Sequence, residues 1–292
     1  MRYGVTLPNM GLDAHTLAQL AVEAETAGWD GVFVWDCLYG SPEDEPEKRA
    51  TCDPWIALAA MALATTRVRL GTMVTPLSRR RPWKVARETV TLDHLSQGRL
   101  ILPVGLGAVA EGGFANVGEE LDRKIRAQLL DEGLAILTGL WSGQPFSFSG
   151  QHYQVQEMTF LPPPIQQPRI PVWVVGAWPR KKSMQRALQW DGMIATKMEA
   201  TGSFAEMAPA DIQVMKTFVA THRDQATPFE IVMSGETPAD DPAAARAMLR
   251  SLSEAGVTWW LESLWEIPET QEEVNEKKKR IQQGPPRPDL PN

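Results

Sequence analysis

Cysteine is nearly absent from this sequence, with Cys37 and Cys52 its only two in 292 residues. So small a supply excludes a disulfide-stapled fold, and two reduced thiols in a cytosolic protein is the reading that fits it. Histidine is almost as scarce. His15, His94, His152 and His222 stand far apart without metal-ligand spacing. That weighs against a metal-dependent amidohydrolase and leaves no metal expected. No apolar run approaches the ~20 residues that a membrane span needs. Residues 1–8 read as a strand rather than a basic segment leading into an apolar one, so export is not expected and the predicted location is the cytoplasm. Positive charge is short as well. The formal net charge is −7, whereas a nucleic-acid binder would carry a basic stripe.

What is present suits one large globular domain. Hydrophobic residues make up 43% and charged residues 22%, enough to bury a full core. Eleven tryptophans point to broad buried aromatic surfaces, some of them lining a pocket for a planar ligand. Short apolar runs alternate with longer amphipathic ones. Strands are predicted over 3–7, 31–35, 68–74, 99–104, 171–175, 192–195, 229–233 and 257–261. Helices are predicted from the N-cap Asp13 to Gly28, from Asp53 and Pro54 to residue 64, and over 82–95 and 119–141. Four more follow over 179–190, 204–221, 241–255 and 269–282. An acidic loop fills 41–49, and a proline-rich tail follows Gly284.

The alternation breaks once, over 143–170. Residues 145–153 read as a hairpin with a Ser-Gly turn, and Pro162, Pro163, Pro164 and Pro168 make a stiff connector. Eight strand-then-helix units exceed what an open doubly wound sheet uses. The predicted fold is therefore α/β, a (β/α)8 TIM barrel with a small hairpin insertion between units four and five. Residues 1–268 form the catalytic barrel with its insertion, and 269–292 are a C-terminal helix and tail that complete it. Chemistry in such a barrel sits just past the strand C-termini.

Several segments carry a resemblance. They are Glu23-Ala24-Glu25-Thr26-Ala27-Gly28-Trp29-Asp30-Gly31 before strand two and Thr65-Thr66-Arg67-Val68-Arg69-Leu70-Gly71-Thr72 across strand three. The most specific is Thr91-Leu92-Asp93-His94-Leu95-Ser96-Gln97-Gly98-Arg99-Leu100, entering strand four. Trp173-Val174-Val175-Gly176 and Asp191-Gly192 add landmarks at strands five and six. In this order they resemble the bacterial luciferase-like family of flavin- and F420-dependent oxidoreductases, over nearly the whole chain.

The resemblance implies a flavin over the barrel mouth with its phosphate near the loop after strand five. There Gly176, Ala177, Trp178, Pro179, Arg180 and Lys181 join a buried strand to a helix start. Gly176 is expected to allow close backbone approach, and Arg180 with Lys181 to supply charge for an anion. Gly105 and Gly107 after strand four are read as clearance for the ring rather than as a dinucleotide fingerprint, since the third glycine is missing. Thr72, Met73 and Val74 lie where the family often bulges beneath the ring, and Leu7 and Asn9 close strand one on the same side.

Asp36 and Cys37, at the end of strand two, are the catalytic candidates. Asp36 would orient ligand or cofactor, or tie down its loop. Cys37 stands where many relatives carry histidine, and it would face the flavin or remain a buried, inert thiol. Ala108 replaces the glutamate of the family's F420-dependent sugar dehydrogenases. Glu111 could reach a substrate from the loop after strand four. His94 and the Trp259-Trp260 pair are read chiefly as packing.

The leading expectation is a monooxygenase or oxidoreductase using reduced FMN on a small organic substrate, with F420-dependent hydride transfer as its close competitor. A Schiff-base lyase using Lys197 and a catalytically silent flavin-binding protein are the alternatives of another class. A homodimer is possible on the family resemblance. Neither a nucleic-acid nor a membrane partner is expected.

Overall fold

The structure is a computed structural model that describes residues 1–38, 50–109, 113–199, 201, 203–224 and 227–287. The acidic loop 41–49, Glu111 and the end of the proline-rich tail lie outside the described residues. The first half of the chain runs β1 (Arg2–Leu7), α1 (Ala14–Thr26), β2 (Gly31–Val34), α2 (Pro54–Ala64), β3 (Arg69–Thr72), β4 (Thr75–Pro76), α3 (Pro82–Leu95), β5 (Leu102–Gly105) and α4 (Arg123–Trp141). It continues through β6 (Pro145–Ser149), β7 (Gln154–Thr159), β8 (Val172–Trp178), α5 (Lys181–Ala187), β9 (Gly192–Met198), β10 (Phe204–Ala205) and α6 (Pro209–His222). The last elements are β11 (Glu230–Gly235), α7 (Pro242–Ala255), β12 (Trp259–Ser263) and α8 (Gln271–Gln282).

The parallel strands follow one another around a ring in the order β3, β2, β1, β12, β11, β9, β8, β5. A parallel bridge between Leu70 and Leu100 closes it. The result is the predicted (β/α)8 barrel, with β6 and β7 forming the separate antiparallel hairpin between units four and five.

Several expected boundaries move by a few residues, and strand five runs on to Trp178. Strand three is interrupted after Thr72 and resumes as β4, which pairs with β5 through Thr75 and Val104. Strand six runs on to Met198. Phe204 and Ala205 form a short antiparallel strand on β9 rather than the start of a helix, and α6 begins only at Pro209. Proline suits that first helical turn, where its missing N–H would have had no partner.

Side-chain alternation divides the core in two. Outward-facing Val5, Leu7, Val32, Val34, Leu70 and Val174 pack in the shell under the helices. Phe33, Ile101, Trp173, Ile194, Val232, Trp259 and Leu261 fill the barrel itself. Phe33 stacks on Trp173 at 5.5 Å between ring centroids, and Trp173 meets Trp259 edge-on at 5.3 Å. Glycine makes room for these rings. A Cβ on Gly31 would stand 3.0 Å from Phe33 and 3.2 Å from Trp259, and one on Gly71 would meet Phe33 at 3.1 Å. Three aromatic rings thus plug the barrel, and any site must lie above them.

The resemblance motifs prove to be pins. Glu25 accepts the backbone N–H groups of Thr66, Arg67 and Val68. Asp93 is fully buried and accepts the N–H groups of Ile165 and Gln166, while His94 bonds the Pro163 carbonyl, so together they fasten the insertion's return. Buried Arg99 donates to the carbonyls of Ala62, Thr65, Val68 and Ser96. From α4, Glu132 collects the N–H groups of Gln151, His152 and Tyr153 and so holds the hairpin turn. At the other end of the chain, Arg280 of α8 pairs with buried Glu262 at 3.0 Å, and Trp29 donates to the Ile281 carbonyl.

Candidate active site

The mouth of the barrel is built where strand three breaks. Met73 and Val74, joined by a cis peptide bond, form the bulge between β3 and β4. Both side chains pack on the inner cluster beside Val175. Thr72 and Thr75 span the bulge with a hydroxyl–hydroxyl bond of 2.7 Å. Opposite, Gly105 ends β5, where a Cβ would come within 3.1 Å of Val74 and 3.0 Å of Val175. Glycine there lets the two valines close into an apolar wall. Gly107 serves another purpose: its φ is +77°, and a Cβ would strike Phe114 and Pro76 at 2.7 Å. The second glycine is therefore required by the turn and by Phe114.

Beside that wall lies a cluster of buried charge. Asp36 follows β2, and its side chain is completely buried. It accepts from Arg79 at 3.1 Å and from Arg80 through two bonds. Arg79 and Arg80 occupy the turn between β4 and α3. Burial works against the Arg80 charge, but Asp36 facing it outweighs burial and holds the guanidinium above its ordinary pKa. Arg79 also lies over the Phe114 ring at 5.7 Å, and Arg126 approaches the same ring at 5.2 Å. Arg126 donates to the carbonyls of Leu106 and Gly107, which fixes the loop after β5, and burial pushes its pKa down. Two guanidinium groups thus face one carboxylate, and Arg126 joins them through the shared Phe114 ring.

Beyond strand five the expected anion loop has a different internal logic. A Cβ on Gly176 would meet the sulfur atoms of Met193 and Met184 at 3.1 and 3.3 Å. That glycine seats α5 on the barrel. The Ala177 N–H is taken by the Ser183 hydroxyl at 3.0 Å. Trp178 turns toward Phe218 of α6, and a cis bond joins it to Pro179. Arg180 caps α5 without a side-chain cap bond, and Lys181 is exposed. Burial, and then the nearby guanidinium of Arg123 from the start of α4, lower the Arg180 pKa. Two arginines from separate elements are therefore close enough for one charge to act on the other.

The remaining candidates have partners of their own. Leu7 is buried in the outer shell, facing away from the barrel interior. Asn9 is fully buried and donates to the carbonyls of Cys37 and Cys52 at 2.9 and 2.8 Å, clasping two segments of the rim. Neither cysteine is in a disulfide. Burial and the neighbouring Asp53 raise the Cys52 thiol pKa. Lys197, for which the sequence shows no partner, pairs with Asp211 at 2.9 Å. Asp211 in turn is held below its usual carboxylate range by the Ala208 N–H and by Lys197.

Sequence reading passes over Arg79, Arg80, Arg126, Phe114 and Arg123. The Arg79-Arg80-Arg81 run was the one visible signal, and nothing local ties it to Asp36 more than forty residues earlier. Among the described residues no group of three or more metal-ligating side chains occurs, and no helix is long and apolar enough to cross a membrane.

Comparison with known proteins places this architecture. An F420-dependent glucose-6-phosphate dehydrogenase of Nakamurella multipartita is 30% identical over 208 residues, covering 70% of this chain and 59% of the relative. An F420-dependent hydroxymycolic acid dehydrogenase of Mycobacterium tuberculosis is 28% identical over 254 residues, covering 84% of this chain and 65% of the relative. The chain thus spans less than two thirds of either relative's length. Among solved structures, an F420-dependent secondary alcohol dehydrogenase in complex with an F420–acetone adduct superposes with a TM-score of 0.75 at 17% identity, covering 95% of this chain and 97% of that one. The monooxygenase RslO1 of Streptomyces bottropensis gives 0.74 at 17% identity, covering 96% of each chain. These likenesses show a shared fold. Residues 1–290 match the luciferase-like monooxygenase family throughout, and the chain belongs to that family of oxidoreductases.

Proposed function

We propose that the protein binds a deazaflavin, coenzyme F420, across the mouth of its barrel and transfers hydride between a small organic alcohol and the corresponding carbonyl compound. What carries the reading is the likeness, over 70% and 84% of this chain, to two F420-dependent dehydrogenases. It moves the balance away from the reduced-FMN monooxygenase that the sequence alone favours. The described residues fit such a group. Met73, Val74, Gly105 and Val175 offer an apolar wall for a planar ring, and Arg180 with Arg123 and Lys181 would hold an acidic tail. When bound, the coenzyme supplies a two-electron hydride acceptor.

The chain's own residues position and shield. Asp36 fixes Arg79 and Arg80 at the rim, and Arg126 fixes the loop after β5. Leu38, Val109 and Trp265 follow strand C-termini, Phe204 lies in β10 on the end of β9, and all four are exposed, so the rim favours a substrate with an apolar body. With Cys37 and Ala108 standing where relatives carry histidine and glutamate, the proton is handled by another group than in that pattern. Assembly as a homodimer is part of this reading. The α2 segment is uncharged throughout, yet it leaves Ile56 and Leu63 exposed at 65% and 74%.

Titration of the purified apo-protein with F420 and FMN separately, followed by fluorescence, tests the cofactor. Tight binding of F420 alone supports the reading. Tight binding of FMN alone redirects it to oxygen chemistry, and binding of neither sinks both.

A further inference from the structure

Two hydroxyl groups inside the barrel have no hydrogen-bond partner among the described residues. Thr6 on β1 and Ser263 on β12 are direct register partners on neighbouring strands. Their parity is fixed by what lies two and four residues earlier. Trp259 and Leu261 fill the barrel interior, so Ser263 points inward, and Gly4 faces Phe33 and Leu261, so Thr6 points inward too. Both lie at the C-terminal ends of their strands, the end that carries the mouth. Thr6 is 0% exposed and Ser263 3%, yet neither side-chain oxygen makes a hydrogen bond.

Buried hydroxyls are nearly always bonded, because leaving one unpaired costs its full desolvation. A pair of them, side by side on neighbouring strands, calls for a partner that the described residues do not supply. Their surroundings give the direction. Met73, Val74 and Val175, from strands three and five, make the inner face of the mouth apolar. Strands six, seven, eight and one present Thr196, Ser234, Ser263 and Thr6 at inward positions across from it. Thr196 already donates to the Gly176 carbonyl at 3.2 Å, whereas Thr6 and Ser263 have no such acceptor.

We propose that Thr6 and Ser263 form a paired-hydroxyl subsite that takes an oxygen atom of the bound ligand. The inference rests on the hydride-transfer reading for its chemistry. A hydroxyl both donates and accepts, so this pair can hold the same oxygen as an alcohol, by accepting its hydrogen bond, and as a carbonyl, by donating one to it. A carboxylate or an ammonium could serve only one of those states. The oxygen belongs either to the substrate's reacting carbon or to a carbonyl edge of the ring, and both present the same chemistry to the pair.

The test uses full-length Thr6→Val and Ser263→Ala, with Thr6→Ser as the variant that keeps a hydroxyl. F420 and FMN titrations read the ring edge. Isopropanol and cyclohexanol, titrated into the loaded protein and followed by bleaching of the oxidised cofactor, read the substrate oxygen. Each hydroxyl removed is expected to weaken one of these two arms about tenfold, and Thr6→Ser to restore it. Cofactor affinity falling assigns the ring edge; alcohol saturation rising at unchanged cofactor affinity assigns the substrate. Melting of the apo-protein reads the hydroxyls with no cofactor present, so it still decides if the wild type binds neither cofactor. Both variants are expected to melt at or about 2–4 °C above the wild type, since each removes an unpaired polar group. Lower apo melting temperatures in both, or unchanged affinities in both arms of a protein that binds cofactor, would overturn the proposal.

Discussion

Arg80 grips Asp36 with two nitrogens, Nε to Oδ2 at 3.0 Å and Nη2 to Oδ1 at 2.5 Å, in a place where the carboxylate has no exposed side-chain surface. The fork geometry of a guanidinium matches the two oxygens of a carboxylate, which a lysine could not reproduce. Arg79 adds a bond to the same Oδ1 and another to the Asp36 carbonyl. One acidic side chain thus fixes the turn that follows the strand-three bulge.

Asp36→Asn should therefore act on stability first. It leaves two largely buried arginines facing a neutral amide, and breaking a buried pair from one side costs about 3–5 kcal/mol. Denaturant unfolding of wild type and variant measures this. A loss below about 1 kcal/mol would show that solvent already screens the cluster.

The cationic pair beyond strand five makes a separate prediction. Arg180→Ala and Arg123→Ala should each weaken F420 binding about tenfold, and the wild-type affinity should fall as salt is raised because exposed charge is screened. Cofactor titrations at two salt concentrations decide it. Binding that ignores both substitutions and salt would mean the tail is held elsewhere.

Glu25 gives the acid limit of the fold. Burial alone would push its carboxyl up, but the N–H groups of Val68, Arg67 and Thr66 outweigh burial and hold it below the ordinary value of 4.5. A depressed folded pKa contributes stability that is complete above the unfolded value and is lost as pH falls through the folded one. Melting temperature should accordingly drop below about pH 4.5. Glu25→Gln should be less stable at neutral pH and lose less on acidification. Parallel curves for the two proteins would refute the assignment.

Lys197 should not form a Schiff base. Its ammonium is paired with Asp211, not stripped of solvent beside other cations. Borohydride reduction in the presence of acetone or pyruvate is expected to leave the intact mass unchanged, and an adduct mapped to Lys197 would reopen the lyase reading.

The exposed apolar face of α2 supplies the test of assembly. Leu63→Glu combined with Ile56→Glu should halve the mass measured by light scattering while barely changing the melting temperature, because both side chains already face outward. A wild type that is monomeric from the outset would remove the dimer.

The eight-unit barrel and its hairpin were legible in the sequence because both rest on local physics. Strand alternation, N-caps such as Asp13, Asp53 and Asp241, and prolines at first helical turns act within a few residues of one another. Boundaries failed where neighbours intervene. β9 runs to Met198 because Phe204 and Ala205 fold back onto it, and strand three ends at Thr72, short of residue 74, at the bulge the resemblance implies. The site was less legible for the same reason. Asp36, Met73, Val74, Gly105 and Arg180 could be named from their positions after strands. Whether Gly176 serves a ligand or Met184, whether Gly107 clears a ring or Phe114, and whether Lys197 has a partner depend on residues brought close by barrel closure. Sequence by itself set the period, the order and the right-handed crossovers, and hence which loops share one face. Only the closed barrel decided which charges neutralise each other and which two hydroxyls, 257 residues apart, are left facing the same space, because burial and pairing are properties of the packed chain and not of any segment.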